Sequence, residues 1–297
     1  MSRSILVSGA TGKQGRALIQ SIIDQDADFK IIALTRNASS ASAQRLAAKS
    51  SKISLIQGNL DDTEAVFAEA TKISPTIWGV FSVLAVNMGG EGSIVEERQG
   101  KNFIDSSLKH GVKHFVYTSS SRGGNQPTDV PHFISKHHVE QHLISRTKNT
   151  SMTWTILRPA AFMDNLEEGF LGKVFATSWQ NSIKSRGLQV IATSDIGLVA
   201  AKVLLDSQRY VGRTIELAGD DLTFDQMAKI YKEVTGVKVP TTFGFITTIL
   251  FWMSAEFRLM FNFFEREGFG INLAETKEVL PEVQDFRTWL SRRNKTA

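Results

Sequence analysis

The segment Ser4-Ile5-Leu6-Val7-Ser8-Gly9-Ala10-Thr11-Gly12-Lys13-Gln14-Gly15-Arg16 constrains the fold of this chain more than any other. A short apolar run reads as a buried strand, and a glycine-rich turn follows at once. Ala17-Leu18-Ile19 and Ile22-Ile23 then recur at helical spacing. That order places a helix amino terminus at the end of a strand. The first N–H groups of a helix lack partners and its dipole is positive there, so the turn suits a pyrophosphate. Gly9 allows the tight turn, Gly12 lets the backbone approach phosphate, and Gly15 lets the helix lie close on its strand. The spacing is G-x-x-G-x-x-G, not the usual G-x-G-x-x-G, and glycine turns after strands are common. Position strengthens the nucleotide reading: the turn follows the first strand, and a second strand comes where the fold needs one.

That second strand is Phe29-Lys30-Ile31-Ile32-Ala33-Leu34-Thr35-Arg36. An NAD enzyme would place Asp or Glu here against the ribose 2′-hydroxyl. This chain has Thr35-Arg36-Asn37 and no acid. The Arg36 guanidinium suits a 2′-phosphate and can also lie against adenine, and Lys13 would add a second positive charge. A solvated arginine at a strand end is the plain alternative. The expectation is NADP(H).

A helix over residues 41–50 and a third strand over 52–57 come next. Asp61 and Asp62 fit the amino-terminal cap of a helix running to Lys72. Residues 77–84 form a fourth strand without alternation, as expected when both faces are covered. Its end, Ser82, Val83 and Leu84 onward to Asn87, falls at the crevice where strand order reverses and should back the nicotinamide ribose. Residues 88–92 read as a mobile glycine-rich loop. Residues 97–109 read as a helix, 113–118 as the fifth strand and 152–159 as the sixth. The fold class is therefore α/β: a doubly wound parallel (Rossmann) sheet, order 3-2-1-4-5-6, with right-handed crossovers. Residues 1–160 are assigned to that domain. Residues 161–297 are assigned to a smaller mixed α/β cap on the substrate side, interleaved with the sheet.

Composition mainly excludes. The chain is 42% hydrophobic and 22% charged with a net charge of +4, ordinary for a globular protein. Its longest basic block, Arg292-Arg293-Asn294-Lys295, reads as a solvated tail, so no direct nucleic-acid contact is expected. Zero cysteines exclude disulfides and thiolate chemistry and are compatible with cytosol. The amino terminus carries strand and turn, not a signal peptide. Residues 239–255 are uncharged but contain Pro240 and Gly244 and are short for a membrane span, so they read as a buried or lid helix. The expected compartment is the cytoplasm, with the nucleus as a second location. His137, His138 and His142 invite a metal reading, but there is no H-E-x-x-H and no third ligand at an obvious spacing. No metal is expected.

Several stretches together resemble one family. Gly9-Ala10-Thr11-Gly12-Lys13-Gln14-Gly15 looks like the opening of an atypical or extended short-chain dehydrogenase, closest to the NmrA-like branch. The run QGKNFIDSSLKHGVKHFVYTSSS resembles that family's helix-to-strand passage, and Pro159-Ala160-Ala161-Phe162-Met163-Asp164-Asn165 its turn over the nicotinamide. Ser194-Asp195-Ile196-Gly197, read as capping a helix through Leu205, and residues 281–290 are further landmarks. The resemblance thus spans essentially the whole chain. It implies cofactor contacts from Gly9, Thr11, Gly12, Lys13, Gln14 and Gly15. Further contacts are implied from Asn59 and Leu60 beside adenine and from Pro159 and Phe162 over the nicotinamide. Phe162 and Met163 would wall a substrate pocket or simply pack, and Arg158 would pair with a nearby acid.

The departure comes at Pro131-His132-Phe133-Ile134-Ser135-Lys136. Short-chain dehydrogenases carry Tyr-x-x-x-Lys on this helix, because residues four apart share a face. Lys136 is present, but His132 holds the tyrosine position, as is usual in NmrA-like proteins. Imidazole exchanges protons near neutral pH, so the substitution does not empty the site of chemistry. The resemblance implies catalytic roles for Lys136, for Ser120 of the Ser119-Ser120-Ser121 run, and for His132, with Lys136 also at the cofactor ribose. Two functions of different class follow. One is an NADPH-dependent reductase of a hydrophobic ketone, quinone or enone. The other is a non-catalytic redox sensor that binds a transcription factor or enzyme according to cofactor state. The partner is accordingly a small hydrophobic substrate or a regulatory protein. Oligomeric state is left open, as is the role of the Phe- and Trp-rich residues 243–268, which would line a greasy pocket or bury a partner helix.

Overall fold

The computed structural model describes residues 3–84, 91–124, 128–167 and 169–296. Six parallel strands alternate with helices through the first half: β1 (Arg3–Val7), α1 (Lys13–Asp24), β2 (Phe29–Thr35), α2 (Ala41–Ala47), β3 (Ile53–Gln57), α3 (Thr63–Ile73), β4 (Gly79–Ser82), α4 (Gly92–Lys109), β5 (His114–Thr118), α5 (Pro131–Thr147) and β6 (Thr153–Pro159). The second half adds β7 (Ala161–Phe162), α6 (Phe170–Ser182), β8 (Leu188–Ile191), α7 (Thr193–Leu205), α8 (Ser207–Tyr210), β9 (Arg213–Leu217) and β10 (Asp220–Leu222). It closes with α9 (Phe224–Thr235), α10 (Gly244–Met253), α11 (Ala255–Arg266), α12 (Leu273–Val279) and α13 (Phe286–Thr296).

The main sheet runs β3-β2-β1-β4-β5-β6-β9, the expected order extended by a seventh strand from the second half of the chain. Alternation along β1 shows why both faces need cover. Ile5 and Val7 enter the apolar layer formed with Leu18, Ile22 and Val199, whereas Leu6 enters the opposite layer with Val80, Phe103 and Leu143. Each such side chain, fully buried, contributes about 1.5–3 kcal/mol. Strand order reverses where β1 leaves β2 for β4, with Leu6 opposite Ile32 on one side and Val80 on the other. The small sheet β10-β8-β7 and helices α6, α9 and α11 enclose a third apolar cluster around Phe175, Trp179 and Phe261.

Three local readings change. Ser194-Asp195-Ile196-Gly197 does not cap α7, because the helix already begins at Thr193, with Ala192 in the cap position. Asp195 instead faces inward and accepts bonds from the Gln284 backbone N–H (2.8 Å) and Nε2 (2.7 Å), which fastens the end of the chain. Burial raises the Asp195 carboxyl despite those two bonds. Gly197 is where α7 crosses α1: a Cβ there would lie 2.4 Å from the Ala17 carbonyl carbon. Residues 239–255 are not a buried helix either. In α10 only Thr247 is buried, because the aromatic cluster beneath is already filled by α6 and α11. Asp62, not Asp61, caps α3, accepting from Ala65 N–H at 3.0 Å. The crevice residues beyond Leu84 and residues 88–90 of the glycine-rich loop lie outside the described residues, and Gly92 already belongs to α4.

Candidate functional site

The turn between β1 and α1 is closed by its own backbone, with Gly12 N–H donating to Gly9 O at 2.9 Å. Gly9 has φ of +58°, which side-chain-bearing residues rarely adopt. A Cβ on Gly15 would come within 2.3 Å of Gly9 O, so the helix can start this close to the strand only without one. Gly12 caps α1 with no side-chain hydrogen bond, which leaves the first N–H groups facing the crevice end of the sheet. Ser8 fastens the turn to the neighbouring strand: its Oγ accepts from Val83 N–H (2.9 Å) and donates to Val83 O (3.0 Å). Among the described residues the buried Gln14 Oε1 and Ser82 Oγ have no hydrogen-bond partner. An acceptor such as Gln14 Oε1 and a hydroxyl such as Ser82 Oγ, left orphaned, are polar atoms that a ligand's own donors and acceptors would satisfy.

Around this turn the other cofactor candidates are distributed unevenly. Arg36 is exposed at the end of β2 and makes no ion pair or hydrogen bond among the described residues. Lys13, offered as a second cation, is engaged elsewhere: its Nζ donates to Glu167 Oε2 (2.7 Å) and to Asp164 O (2.9 Å). That bond joins the glycine turn to the segment after β7. The segment is held in turn by Asp164, whose carboxylate accepts from Thr193 N–H (2.9 Å) and Oγ1 (2.5 Å). Asn59 is exposed and bonds Asp61, while the Leu60 and Leu84 side chains lie in the core layer under α3 and α4. Val83 and Phe162 are half-buried on the other core layer, and Met163 is wholly buried in the third apolar cluster. Pro159 ends β6 opposite Leu217 of β9, and its carbonyl accepts from Ser121 N–H.

The helix α5 carries the remaining candidates on one inward face: His132, Lys136 and Glu140, each four residues from the next. Each is met by an opposite partner from a different element. Lys136 Nζ bonds the buried Glu96 Oε1 of α4, whose other oxygen accepts from Ser135 Oγ at 3.0 Å. The approach is possible because Gly100, one turn along α4, has no side chain; a Cβ there would lie 2.7 Å from Val139. His132 Nδ1 lies 2.8 Å from Glu256 Oε1 of α11, both side chains being buried. Its ring stands edge-on to Phe133 (4.5 Å between centroids), which meets Phe263 at 5.1 Å. His132 Nε2 has no partner among the described residues and is the nitrogen left for a ligand.

Glu140 has no exposed surface and receives Arg158 twice, Nε at 2.9 Å and Nη2 at 2.6 Å, with Arg122 Nη1 at 3.2 Å. Burial alone would raise its carboxyl; the bonds and charges of Arg158 and Arg122 override this and hold it below the ordinary value. Arg158 also donates to Glu216 on β9 at 3.2 Å, so it is the structural arginine its sequence context allowed. Burial, with the Glu96 and Glu140 charges, keeps the Tyr117 phenol well above its usual range and therefore neutral. Of the three serines after β5, Ser119 and Ser121 are buried, and Ser120 alone is half-exposed. His138 pairs with Glu97 (2.7 Å) and His142 with Asp105 (3.0 Å), each histidine with its own acid. Among the described residues no group of three acid, histidine or cysteine side chains is placed to hold a metal ion.

Glu96, Glu140 and Glu256 were not singled out from sequence. The signal was present: Glu96, Gly100, Phe103 and Ser107 share one helical face, as do Glu256, Met260 and Phe264, so each glutamate sits on an inward stripe. Drawing α4 from residue 97 left Glu96 off its helix. A cavity of about 350 Å³, also not anticipated, lies between α6 and the start of the 239–253 segment, walled by Leu166, Phe170, Ala176, Tyr231, Val239 and Pro240. Glu167, the partner of Lys13, sits at its edge.

A parallel doubly wound sheet with a glycine-lined helix start at its point of reversal defines the dinucleotide-binding Rossmann class. Within that class the chain belongs to the NmrA-like family, whose model matches residues 1–289. It is 27% identical over 264 residues to an NmrA-like family domain-containing oxidoreductase of Malbranchea aurantiaca, covering 80% of this chain and 74% of that one. In fold it is similar to an NADPH-dependent quinone oxidoreductase from Escherichia coli complexed with NADPH (TM-score 0.74, 20% identity, 98% of this chain and 99% of that). It is also similar to NmrA, a negative transcriptional regulator, in complex with NAD (TM-score 0.71, 15% identity, 98% and 95%).

Proposed function

We propose that this protein binds NADP(H) and reduces a hydrophobic ketone, quinone or enone with NADPH. The observation that carries the reading is the pair His132 and Lys136 on one face of α5, each backed by a buried carboxylate and bordered by Phe133 and Phe263. The fit of the cofactor rests on the glycine turn, the orphaned Gln14 and Ser82 oxygens and the free Arg36. Gly9, Thr11, Gly12 and Gly15 would cradle the pyrophosphate, Arg36 the 2′-phosphate, and Asn59 with Leu60 the adenine edge. Ser82, Val83, Leu84, Pro159 and Phe162 would border the nicotinamide end. When bound, NADPH supplies the hydride. Lys136 or His132, together with Ser120, would hold the oxygen that becomes negative and deliver its proton, while the aromatic surround excludes water.

A panel of quinones, enones and aromatic ketones, followed by NADPH consumption, tests this. His132→Gln keeps a hydrogen bond to Glu256 and is expected to lower kcat about a hundredfold with NADPH affinity unchanged. Lys136→Met combined with Glu96→Gln removes both charges of the pair together and is expected to lower kcat by as much and, with the ribose contact of Lys136 gone, to weaken NADPH binding as well. The second reading, a redox sensor, is favoured by the missing tyrosine and by a Lys136 already matched by Glu96. If NADPH binds but no member of the panel turns over, the sensor reading is the one left. It then requires protein-partner capture that differs between NADP⁺ and NADPH.

A further inference from the structure

Trp252, Leu171, Phe243 and Met253, the four most exposed large apolar side chains among the described residues, all lie in the second half of the chain. On α10, Phe245, Ile249, Trp252 and Met253 fall at spacings of four, three and one, a single helical stripe, and all four point outward. Trp252 is 83% exposed and Met253 71%. Phe243 stacks on Phe245 at 5.7 Å, and Leu171 at the start of α6 is 80% exposed. The segment before α10 is fastened to α6, with Thr242 N–H donating to Thr177 Oγ1 at 2.8 Å. An ordinary surface helix turns charge outward. This one turns its apolar side outward, and no charged residue occurs from Val239 to Ala255.

The exposed charges at the two ends of the uncharged 239–255 run are cations. Lys238 precedes it, Arg258 follows it, and Lys173 stands one turn from Phe170; all three are exposed. The neighbouring acids are already occupied. Glu167 holds Lys13, Glu256 lies inside against His132, and Glu265 accepts from the backbone N–H groups of Lys184 and Ser185. An aromatic and aliphatic stripe rimmed by cations complements a layer with an apolar interior and anionic head groups.

We propose that α10 and the start of α6 seat this protein on the surface of a bilayer containing anionic phospholipid. The stripe enters the acyl boundary, and Lys173, Lys238 and Arg258 meet the head-group phosphates. The attachment is to the surface. α10 has ten residues, about 15 Å of helix, and the next helix turns away at 114° with Phe261, Phe263 and Phe264 packed inside the protein. A second copy fits this face less well, because two-fold apposition would bring the same cations together, and the neighbouring acids Glu167, Glu256 and Glu265 among the described residues are already engaged.

The test is co-sedimentation of the full chain with vesicles of phosphatidylcholine alone and of phosphatidylcholine with about one third phosphatidylserine. Binding is expected to the mixed vesicles, about tenfold weaker to the neutral ones, and weakened further as salt rises. Bromine-labelled acyl chains should quench tryptophan emission, and Trp252→Phe should remove that quenching while binding persists. Trp252→Ser with Met253→Ser should cut binding about tenfold or more without changing the circular dichroism spectrum. Failure to sediment with the mixed vesicles overturns the proposal, as does quenching that survives in Trp252→Phe. A dimer in analytical ultracentrifugation that the double serine variant dissolves also overturns it and assigns the face to a second copy.

Discussion

The glycine turn and the inward face of α5 solve the problem of building a polar site in opposite ways. The turn lies within a few consecutive residues and is shaped by absent atoms: no Cβ at Gly9, Gly12 or Gly15, and no capping side chain on α1. The α5 face is shaped by charges brought together from distant parts of the chain: Lys136 with Glu96, His132 with Glu256, and Glu140 with Arg122 and Arg158. A backbone site needs little beyond correct local geometry. A site of buried charges needs every partner in place, since the desolvation of one ion is compensated only by the other. The two regions should therefore fail differently when a single residue is changed.

The largest effect is expected at Glu140. Glu140→Gln leaves Arg158 and Arg122 beside a neutral amide in a buried site and should cost about 3–5 kcal/mol, read from the shift of a urea or guanidinium unfolding midpoint. The pH dependence has a defined sign. Because the folded-state carboxyl lies below its unfolded value, its contribution is present above the ordinary glutamate range and is lost as pH falls through the folded value. The variant should lack that part of the acid slope. A loss under 1 kcal/mol would mean that the arginines find other partners, and the contrast with the glycine turn would weaken.

Gly15→Ala should cost less and do more to the ligand. A methyl group 2.3 Å from Gly9 O must push the helix off its strand, an overpacking worth about 1–3 kcal/mol. Calorimetric titration should show NADPH affinity falling about tenfold or more, whereas Glu140→Gln, measured below its own unfolding midpoint, should leave affinity unchanged. Equal losses of affinity in both variants would mean that the two regions are not separable.

The same contrast explains what could be read before the fold was known. Strand order and the seat of α1 follow from local spacing, turn chemistry and handedness, and the sheet has the expected order. Nothing in the residues of β9 says which edge it joins; its place is set by Arg158 meeting Glu216 and by the packing of α7 on α1. The partners of His132 and Lys136 were illegible for a related reason. A glutamate on a helical stripe is visible, but which of several helices it faces depends on crossings such as the one Gly100 permits. The outward turn of α10 was hidden because an uncharged aromatic run has no polar stripe to mark which side meets solvent.

Arg36 sharpens the comparison at its small end, since it is proposed to hold the cofactor's 2′-phosphate yet contributes no packing. It is exposed at the end of β2 and engages no acid, so Arg36→Ala should leave the unfolding midpoint within experimental error. NADPH and NADP⁺ should bind about tenfold more weakly, which corresponds to about 1.4 kcal/mol, while NADH and NAD⁺ change little. That pattern would assign the guanidinium to the 2′-phosphate. A matching loss for both cofactor pairs would place it flat against the adenine instead, and selectivity for the phosphorylated form would have no basis in Lys13 while that ammonium stays with Glu167.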